Sequence, residues 1–311
     1  MHFPVSGVEV SWWVPPLVAF GVSLVTSTGG VSGAFLLLPF QMSVLGFTAP
    51  AVSATNQLFN VVAIPTGVVR YVREGRMVWP LAWVVVAGTL PGVLVGAVVR
   101  VRLLPDPTAF KAFAGLVLAW IGARLVADLV RRPTSGAARA EARFRERVHG
   151  PGGVSGGSPP LRVAACSIRK VTYEFGGETF TFSTATVFLL SLAVGVVGGV
   201  YGIGGGAIVV PFFVAVLGLP IHTVAGAALL GTFVTSVAGV LFYQAIAPFH
   251  PGMAVAPDWA LGLLFGIGGA AGMYCGARLQ KRFPARAIKW MLVAVILFVA
   301  GKYLLGIVEL L

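Results

Sequence analysis

The chain has 311 residues, of which 57% are hydrophobic and only 10% are charged, and its mean hydropathy is +0.92. A soluble domain carries roughly 25% charged residues, so this composition excludes an ordinary water-soluble domain and predicts an integral membrane protein. The net charge of +12 does not indicate nucleic-acid binding, because the charges lie between apolar segments, as in the cytoplasmic loops of membrane proteins.

The first apolar stretch runs over about 12–46. The run Thr28-Gly29-Gly30-Val31-Ser32-Gly33 interrupts it, which predicts two short helices separated by a break. Further spans are predicted at about 51–69, 79–99 and 109–130, each near the ~20 residues that a helix needs to cross a bilayer.

The composition then becomes polar and basic over 131–183. A Gly/Pro-rich tract within it, 150–160, indicates a flexible loop. Alternating apolar residues over 171–182, centred on Gly176-Gly177, predict a β-hairpin. The basic tract 137–148 leaves two readings, an amphipathic segment on anionic lipid or a solvated loop, and the solvated loop is favoured.

The apolar pattern resumes in the second half, with spans predicted at 186–201, 207–218, 223–247, 259–279 and 287–308. This half repeats the first at a nearly constant offset: Pro39-Phe40 recurs as Pro211-Phe212, and Tyr71 as Tyr243. The glycines spaced by four near 88–96 recur near 268–276, a spacing that lets another helix approach closely.

The predicted fold is an all-α polytopic membrane protein with two inverted repeats, each a broken helical hairpin plus three transmembrane helices. The first repeat covers 1–130, a cytoplasmic basic loop covers 131–183, and the second repeat covers 184–311. Lys and Arg support this orientation, because the loops 70–76, 131–183 and 278–289 hold the net positive charge and belong inside by the positive-inside rule.

The two breaks are the candidate site. A helix that restarts inside a membrane leaves N–H groups without partners at its new N-terminus, and these groups and the helix dipole favour an anion. The alternative is that the glycines only allow close helix packing. The residues that would offer backbone donors are Gly30, Ser32, Gly33, Gly204, Gly205 and Gly206.

The span after each break adds polar side chains. Asn56 and Asn60 lie on one helix face and Gln57 between them, and Thr232 aligns with Asn60 in the second half. Such groups either join helices or line a solute path. The residues predicted to bind the solute are Asn56, Gln57, Asn60 and Thr232. His222 is the candidate proton site, against the reading of a structural histidine.

No cofactor or metal site is expected, since the two cysteines lie far apart and no two of the four histidines are closely spaced. An intramembrane enzyme would need a nucleophile, an acid–base pair or a metal cluster in the spans, and the sequence offers none. The function classes that remain are a secondary transporter and a passive channel for anions or small solutes.

The stretch 198–211, GGVYGIGGGAIVVP, resembles the signature of the TauE/SafE sulfite-exporter family, and 27–39, STGGVSGAFLLLP, is similar in placement. The resemblance covers both membrane halves and leaves out the 131–183 loop. It implies a permease that exports sulfite, sulfonates or related organosulfur anions across the bacterial inner membrane. The sequence leaves open which anion is carried, in which direction, with which coupling ion, and whether the chain forms a homodimer.

Overall fold

The computed structural model describes residues 1–28, 32–130, 139–140, 161–279 and 285–308. Within them the protein is mostly helical, and five helices are long and apolar enough to cross a membrane. The predicted membrane protein of α-helices is confirmed at this level. The helices are α1 (Val14–Thr28), α2 (Ala34–Ser43), α3 (Ala51–Ala63), α4 (Pro65–Arg73), α5 (Trp79–Arg102), α6 (Pro107–Val130), α7 (Thr184–Tyr201), α8 (Gly206–Val216), α9 (Ile221–Ile246), α10 (Trp259–Leu279) and α11 (Ala285–Val308).

Both predicted interruptions are present. The first break separates α1 from α2, and residues 29–31 within it, Gly30 among them, lie outside the described residues. The second break separates α7 from α8. There Gly202, Gly204 and Gly205 have φ of +83°, +64° and +85°, a left-handed conformation that costs little only for glycine. The backbone turn itself therefore requires glycine at these three positions.

The prediction of one span over 51–69 is wrong, because this segment forms two short helices, α3 and α4, that meet at Ile64-Pro65. Pro65 has no N–H to continue the ladder of α3, and it occupies the first turn of α4, where a missing N–H is tolerated. The corresponding helix of the second half, α9, has no internal proline and runs unbroken for 26 residues.

Glycines bring two pairs of helices into direct backbone contact. α5 packs against α7, and α10 packs against α1. A side chain added at any of six glycines would collide with a carbonyl oxygen of the facing helix. The glycine–carbonyl pairs are Gly88 with Phe188, Gly92 with Leu192, Gly96 with Val196, Gly268 with Pro16, Gly272 with Phe20 and Gly276 with Leu24. The predicted close helix approach is confirmed.

Two separate groups of loops close the ends of the helices. At one end the N-terminal segment reaches the loop before α10, where Ser6 Oγ donates to Asp258 at 2.9 Å. At the same end Arg100 Nη2 donates to the carbonyl of Thr48 at 2.8 Å, and the guanidinium lies 3.7 Å from the ring centroid of Phe110. Arg100 is therefore tied to backbone and an aromatic ring.

The other end carries a three-stranded antiparallel sheet: β3 (Arg162–Cys166), β4 (Lys170–Phe175) and β5 (Glu178–Ser183). The predicted hairpin is confirmed, with positive φ at both residues of the Gly176-Gly177 turn. Strand β3 was not predicted, because its two alanines give a weak strand signal. The sheet docks on α9 through Tyr173 Oη and Thr223 Oγ1, which lie 2.9 Å apart. A short two-stranded hairpin, β1 (His2–Phe3) with β2 (Val8–Glu9), also lies before α1.

Candidate functional site

The two breaks lie against each other, joined by buried hydrogen bonds between the halves. Tyr201 Oη, at the end of α7, donates to the carbonyl of Phe35 in α2 at 2.9 Å. Ser53 Oγ of α3 donates to the carbonyl of Val200 at 2.8 Å. The start of α2 and the end of α7 are thereby held together with α3 beside them.

Asn56 forms the central cross-link of this arrangement. Its Nδ2 donates to the carbonyl of Ala34 at 3.0 Å and to that of Gly202 at 3.1 Å, one on each side of the junction. Its Oδ1 accepts from Gln41 Nε2 at 3.3 Å. Both amide hydrogens and the oxygen of Asn56 are thus engaged within the protein.

Polar side chains from α1, from α3 and from the segment just before α2 converge on the first break. We call Ser23, Thr26, Ser32, Gly33 and Asn60 the first cradle. Gly33 precedes α2, and a Cβ built on it would lie 3.1 Å from Ser23 Oγ and 3.3 Å from Thr26 Oγ1. Ser32 Oγ donates to Asn60 Oδ1 at 2.9 Å, which leaves Nδ2 as the open end of that amide.

Three polar groups of the first cradle have no hydrogen-bond partner among the described residues. They are Ser23 Oγ, Thr26 Oγ1 and Asn60 Nδ2, and all three residues are 0% exposed. A buried polar group without a partner destabilises a protein by about 1–3 kcal/mol. All three groups can donate, and they surround the N-terminus of α2, where the helix dipole is positive. The arrangement is suited to an anion.

The second break has a corresponding set, which we call the second cradle: Gly204, Gly205, Thr232, Thr235 and Ser236. Thr232 Oγ1 donates to Ala228 O at 2.8 Å, and Thr235 Oγ1 lies within bonding distance of Gly204 O and Gly231 O. Ser236 Oγ is buried, has no partner among the described residues, and lies 2.6 Å from where a Cβ of Gly204 would be. The second cradle therefore presents one open hydroxyl.

Most of the residues predicted from the sequence divide between the two cradles, and Gln57 and His222 lie outside both. Ser32, Gly33 and Asn60 meet in the first cradle, whereas Gly204, Gly205 and Thr232 meet in the second, with Gly206 as the first residue of α8. Gln57 lies elsewhere, against Gly239 of α9, with neither amide atom bonded to a described residue. His222 lies in the first turn of α9, ten residues before Thr232 and so roughly 15 Å away along the axis.

Sequence reasoning missed Ser23 and Thr26. They are three apart on α1 and so share a face, directly before the first break. That spacing was the available signal. Hydroxyl side chains are easily overlooked in apolar helices because they can bond to their own backbone, and only the fold shows that these two face Gly33.

The helices that form the junction contain no ionisable side chain apart from Tyr201. α1, α2, α3, α7 and α8 contain no Asp, Glu, Lys, Arg or His. At the first cradle, whose helical side chains come from α1 and α3, the local positive potential therefore comes from the helix N-terminus and from neutral donors.

A comparison with known families then bears on this geometry. The profile of the family described as "Sulfite exporter TauE/SafE" matches residues 16–303, from the first turn of α1 into α11. The chain belongs to this family. No curated protein and no solved structure matches the chain. The family is one of transporters, so the resemblance read from the glycine-rich stretches is confirmed, and membership implies transport of a sulfur-containing anion.

Proposed function

We propose that this protein is a secondary transporter that exports sulfite or an organosulfonate across the bacterial inner membrane, with the first cradle as its main binding site. The observation that carries the proposal is a set of three buried donors around the N-terminus of α2, Ser23 Oγ, Thr26 Oγ1 and Asn60 Nδ2, that have no partner among the described residues. Family membership supplies the class of solute.

The two halves form inverted repeats in this proposal. Support comes from the reciprocal packing, in which the glycines of α5 lie on α7 and the corresponding glycines of α10 lie on α1. The carbonyls they contact, for example those of Phe20 and Leu192, are related by the same offset that relates Pro39 to Pro211. This pattern arises when each of two related halves packs one of its helices against the first helix of the other half.

The charge distribution supports an orientation with the sheet and the loop 70–76 in the cytoplasm. With that orientation the first break is reached from the outside by α1 and α2, and the second from the cytoplasm by α7 and α8. The breaks meet near the middle of the bilayer, where inverted-repeat transporters bind their solutes.

Binding follows from the geometry of the first cradle. Oxygen atoms of the anion accept hydrogen bonds from the two hydroxyls and from Asn60 Nδ2. The positive end of the α2 dipole favours the anion's charge, while the N–H of Ala34 is already bonded to Ser32 Oγ. Because no side-chain cation contributes, binding is weak and reversible, as transport requires. The second cradle, with Ser236 Oγ open, faces the solute after the halves move relative to each other.

The test is exchange of radiolabelled sulfite in proteoliposomes, competed with taurine-like sulfonates, thiosulfate and chloride. Saturable exchange that Ser23→Ala reduces supports the carrier. Ser191→Ala is the matched control, since Ser191 is also buried without a described partner but lies against Gly88, far from the break. Flux without saturation or exchange indicates a channel, and no flux in folded protein contradicts transport of these anions.

A further inference from the structure

The charge of the first cradle's surroundings restricts the anion that can be held there. No residue of the cradle is ionised, and neither are residues 29–31, which are Gly, Gly and Val. The nearest helices, α2 and α3, contain no basic side chain. Arg100, the buried cation of α5, has two of its nitrogens bound to the carbonyls of Thr48 and Leu104 at the end of the helix bundle.

The energy needed to remove an anion from water grows with the square of its charge, so a dianion is roughly four times as costly to bury as a monoanion. The first cradle offsets this with neutral donors and a helix N-terminus equivalent to roughly half a positive charge. These groups match one negative charge far better than two.

The hydroxyls of the first cradle favour the same conclusion. Ser23 Oγ and Thr26 Oγ1 can accept as well as donate, since a hydroxyl has one hydrogen and two lone pairs. They can therefore bond the O–H of a protonated oxyanion, which a ring of lysine or arginine donors could not do. A singly protonated oxyanion finds both kinds of partner here, and a singly substituted one, which has no O–H, uses the donors alone.

From these observations we infer that the first cradle selects monovalent sulfur oxyanions, hydrogen sulfite or a sulfonate R–SO₃⁻, and rejects divalent ones such as sulfate. The inference rests on the proposed function and narrows its substrate class. It assigns the selection to the lack of a cationic side chain in the first cradle and in α2 and α3, and the size and shape of the sulfur group have only a secondary role.

The test compares two competitors of sulfite exchange that share a tetrahedral SO₄ group and differ by one charge, methyl sulfate and sulfate. At constant ionic strength, methyl sulfate should inhibit exchange at a concentration at least roughly tenfold lower than sulfate. We measure inhibition of sulfite exchange and not a rise in melting temperature, because sulfate raises the melting temperature of proteins without binding to them.

A second arm changes the charge of the cradle with almost no change of shape. Asn60→Asp should abolish exchange by repelling every anion, while Gln244→Glu, the same change at an exposed residue that bonds Trp259, should leave it intact. Equal inhibition by sulfate and methyl sulfate, or normal exchange in Asn60→Asp, would overturn the charge selection while the transporter stands. Absence of any sulfite exchange in folded wild-type protein would instead overturn the proposed function, and the inference with it.

Discussion

Each half interrupts a helix at a glycine-rich break, but the two breaks differ in which side-chain groups remain without a described partner. In the first cradle, Ser23, Thr26 and Asn60 each present a buried polar group without a described partner. In the second, Thr232 and Thr235 bond to carbonyls of their own helix. The first break therefore keeps buried donors without a described partner, whereas most hydroxyl groups of the second break are already bonded within the protein.

The difference has a steric origin. At the offset that relates Pro39 to Pro211, Ser23 and Thr26 correspond to Gly195 and Gly198. Gly198 lies directly against the backbone of Gly205, so α7 closes onto the second break and leaves no room for a side chain. The comparison teaches that a few small residues decide whether a break keeps buried donors open, as in the first cradle, or closes into a packed junction, as in the second.

The largest effect is expected when the threonine at position 26 of the first half is placed at its counterpart in the second half, Gly198. In Gly198→Thr the new Cβ would lie 2.8 Å from Gly205 Cα, a backbone contact that cannot relax, and we expect a loss of at least about 3 kcal/mol of stability. The reverse exchange, Thr26→Gly, creates no collision and should fold. Both are checked by thermal unfolding in detergent, and a fully stable Gly198→Thr would show that the second break is not closed.

The next effect concerns the junction that both breaks share. Asn56→Ala leaves the carbonyls of Ala34 and Gly202 and the amide of Gln41 without their partner. We expect a loss of about 2–4 kcal/mol, because several buried polar groups lose a hydrogen bond together. Thermal unfolding measures it, with Gln244→Ala as an exposed amide control. An unchanged melting temperature would argue against the cross-link.

A smaller effect is expected on sulfite binding, when one side chain is changed in each cradle and the two losses are compared. Asn60→Leu removes an open donor, and the loss of a hydrogen bond to a charged ligand weakens binding by about 1.5–3 kcal/mol, which is roughly 10–100-fold. Thr232→Val removes a hydroxyl already bonded to Ala228 O and should weaken binding by roughly threefold or less. The concentration dependence of sulfite exchange measures both. Equal losses would mean that the two breaks bind the anion equally.

The smallest effect lies outside both cradles, at the turn after α4. Burial would raise the pKa of Glu74, but its contacts with Arg70 and Arg76 outweigh burial and hold the pKa below its ordinary value. The ion pairs therefore stabilise the protein above the ordinary pKa of 4.5, and this contribution is lost as pH falls through the lowered value. The carboxylate is partly exposed, so we expect less than about 1 kcal/mol. Glu74→Gln should lower the melting temperature slightly at neutral pH, and the difference should shrink in acid, with sulfite exchange unchanged; a difference that grows in acid would contradict it.

The sequence predicted much of the fold because hydropathy and glycine spacing report local properties. The span 259–279 coincides with α10, and the glycine stripe of α10 contacts a helix as expected. The break at Pro65 was missed because hydropathy does not register a lost N–H, although the proline itself was a signal.

The site was harder to predict than the fold. The glycine breaks and Asn60 could be found, because polar residues and glycine runs stand out in apolar spans. Ser23 and Thr26 could not be assigned, since their role depends on α1 facing Gly33 after the chain turns back. Asn56 looked equivalent to Asn60, and only the hydrogen bonds show that it is saturated by the protein while Asn60 keeps an open donor.

The central claim is that the first cradle holds the anion, and equilibrium binding of radiolabelled sulfite to the detergent-solubilised protein tests it most directly. The double variant Ser23→Ala/Thr26→Val should bind at least roughly tenfold more weakly than wild type, whereas Ser191→Ala, the buried hydroxyl outside the break, should bind like wild type. Unchanged affinity in the folded double variant, or an equal loss in Ser191→Ala, would contradict the account.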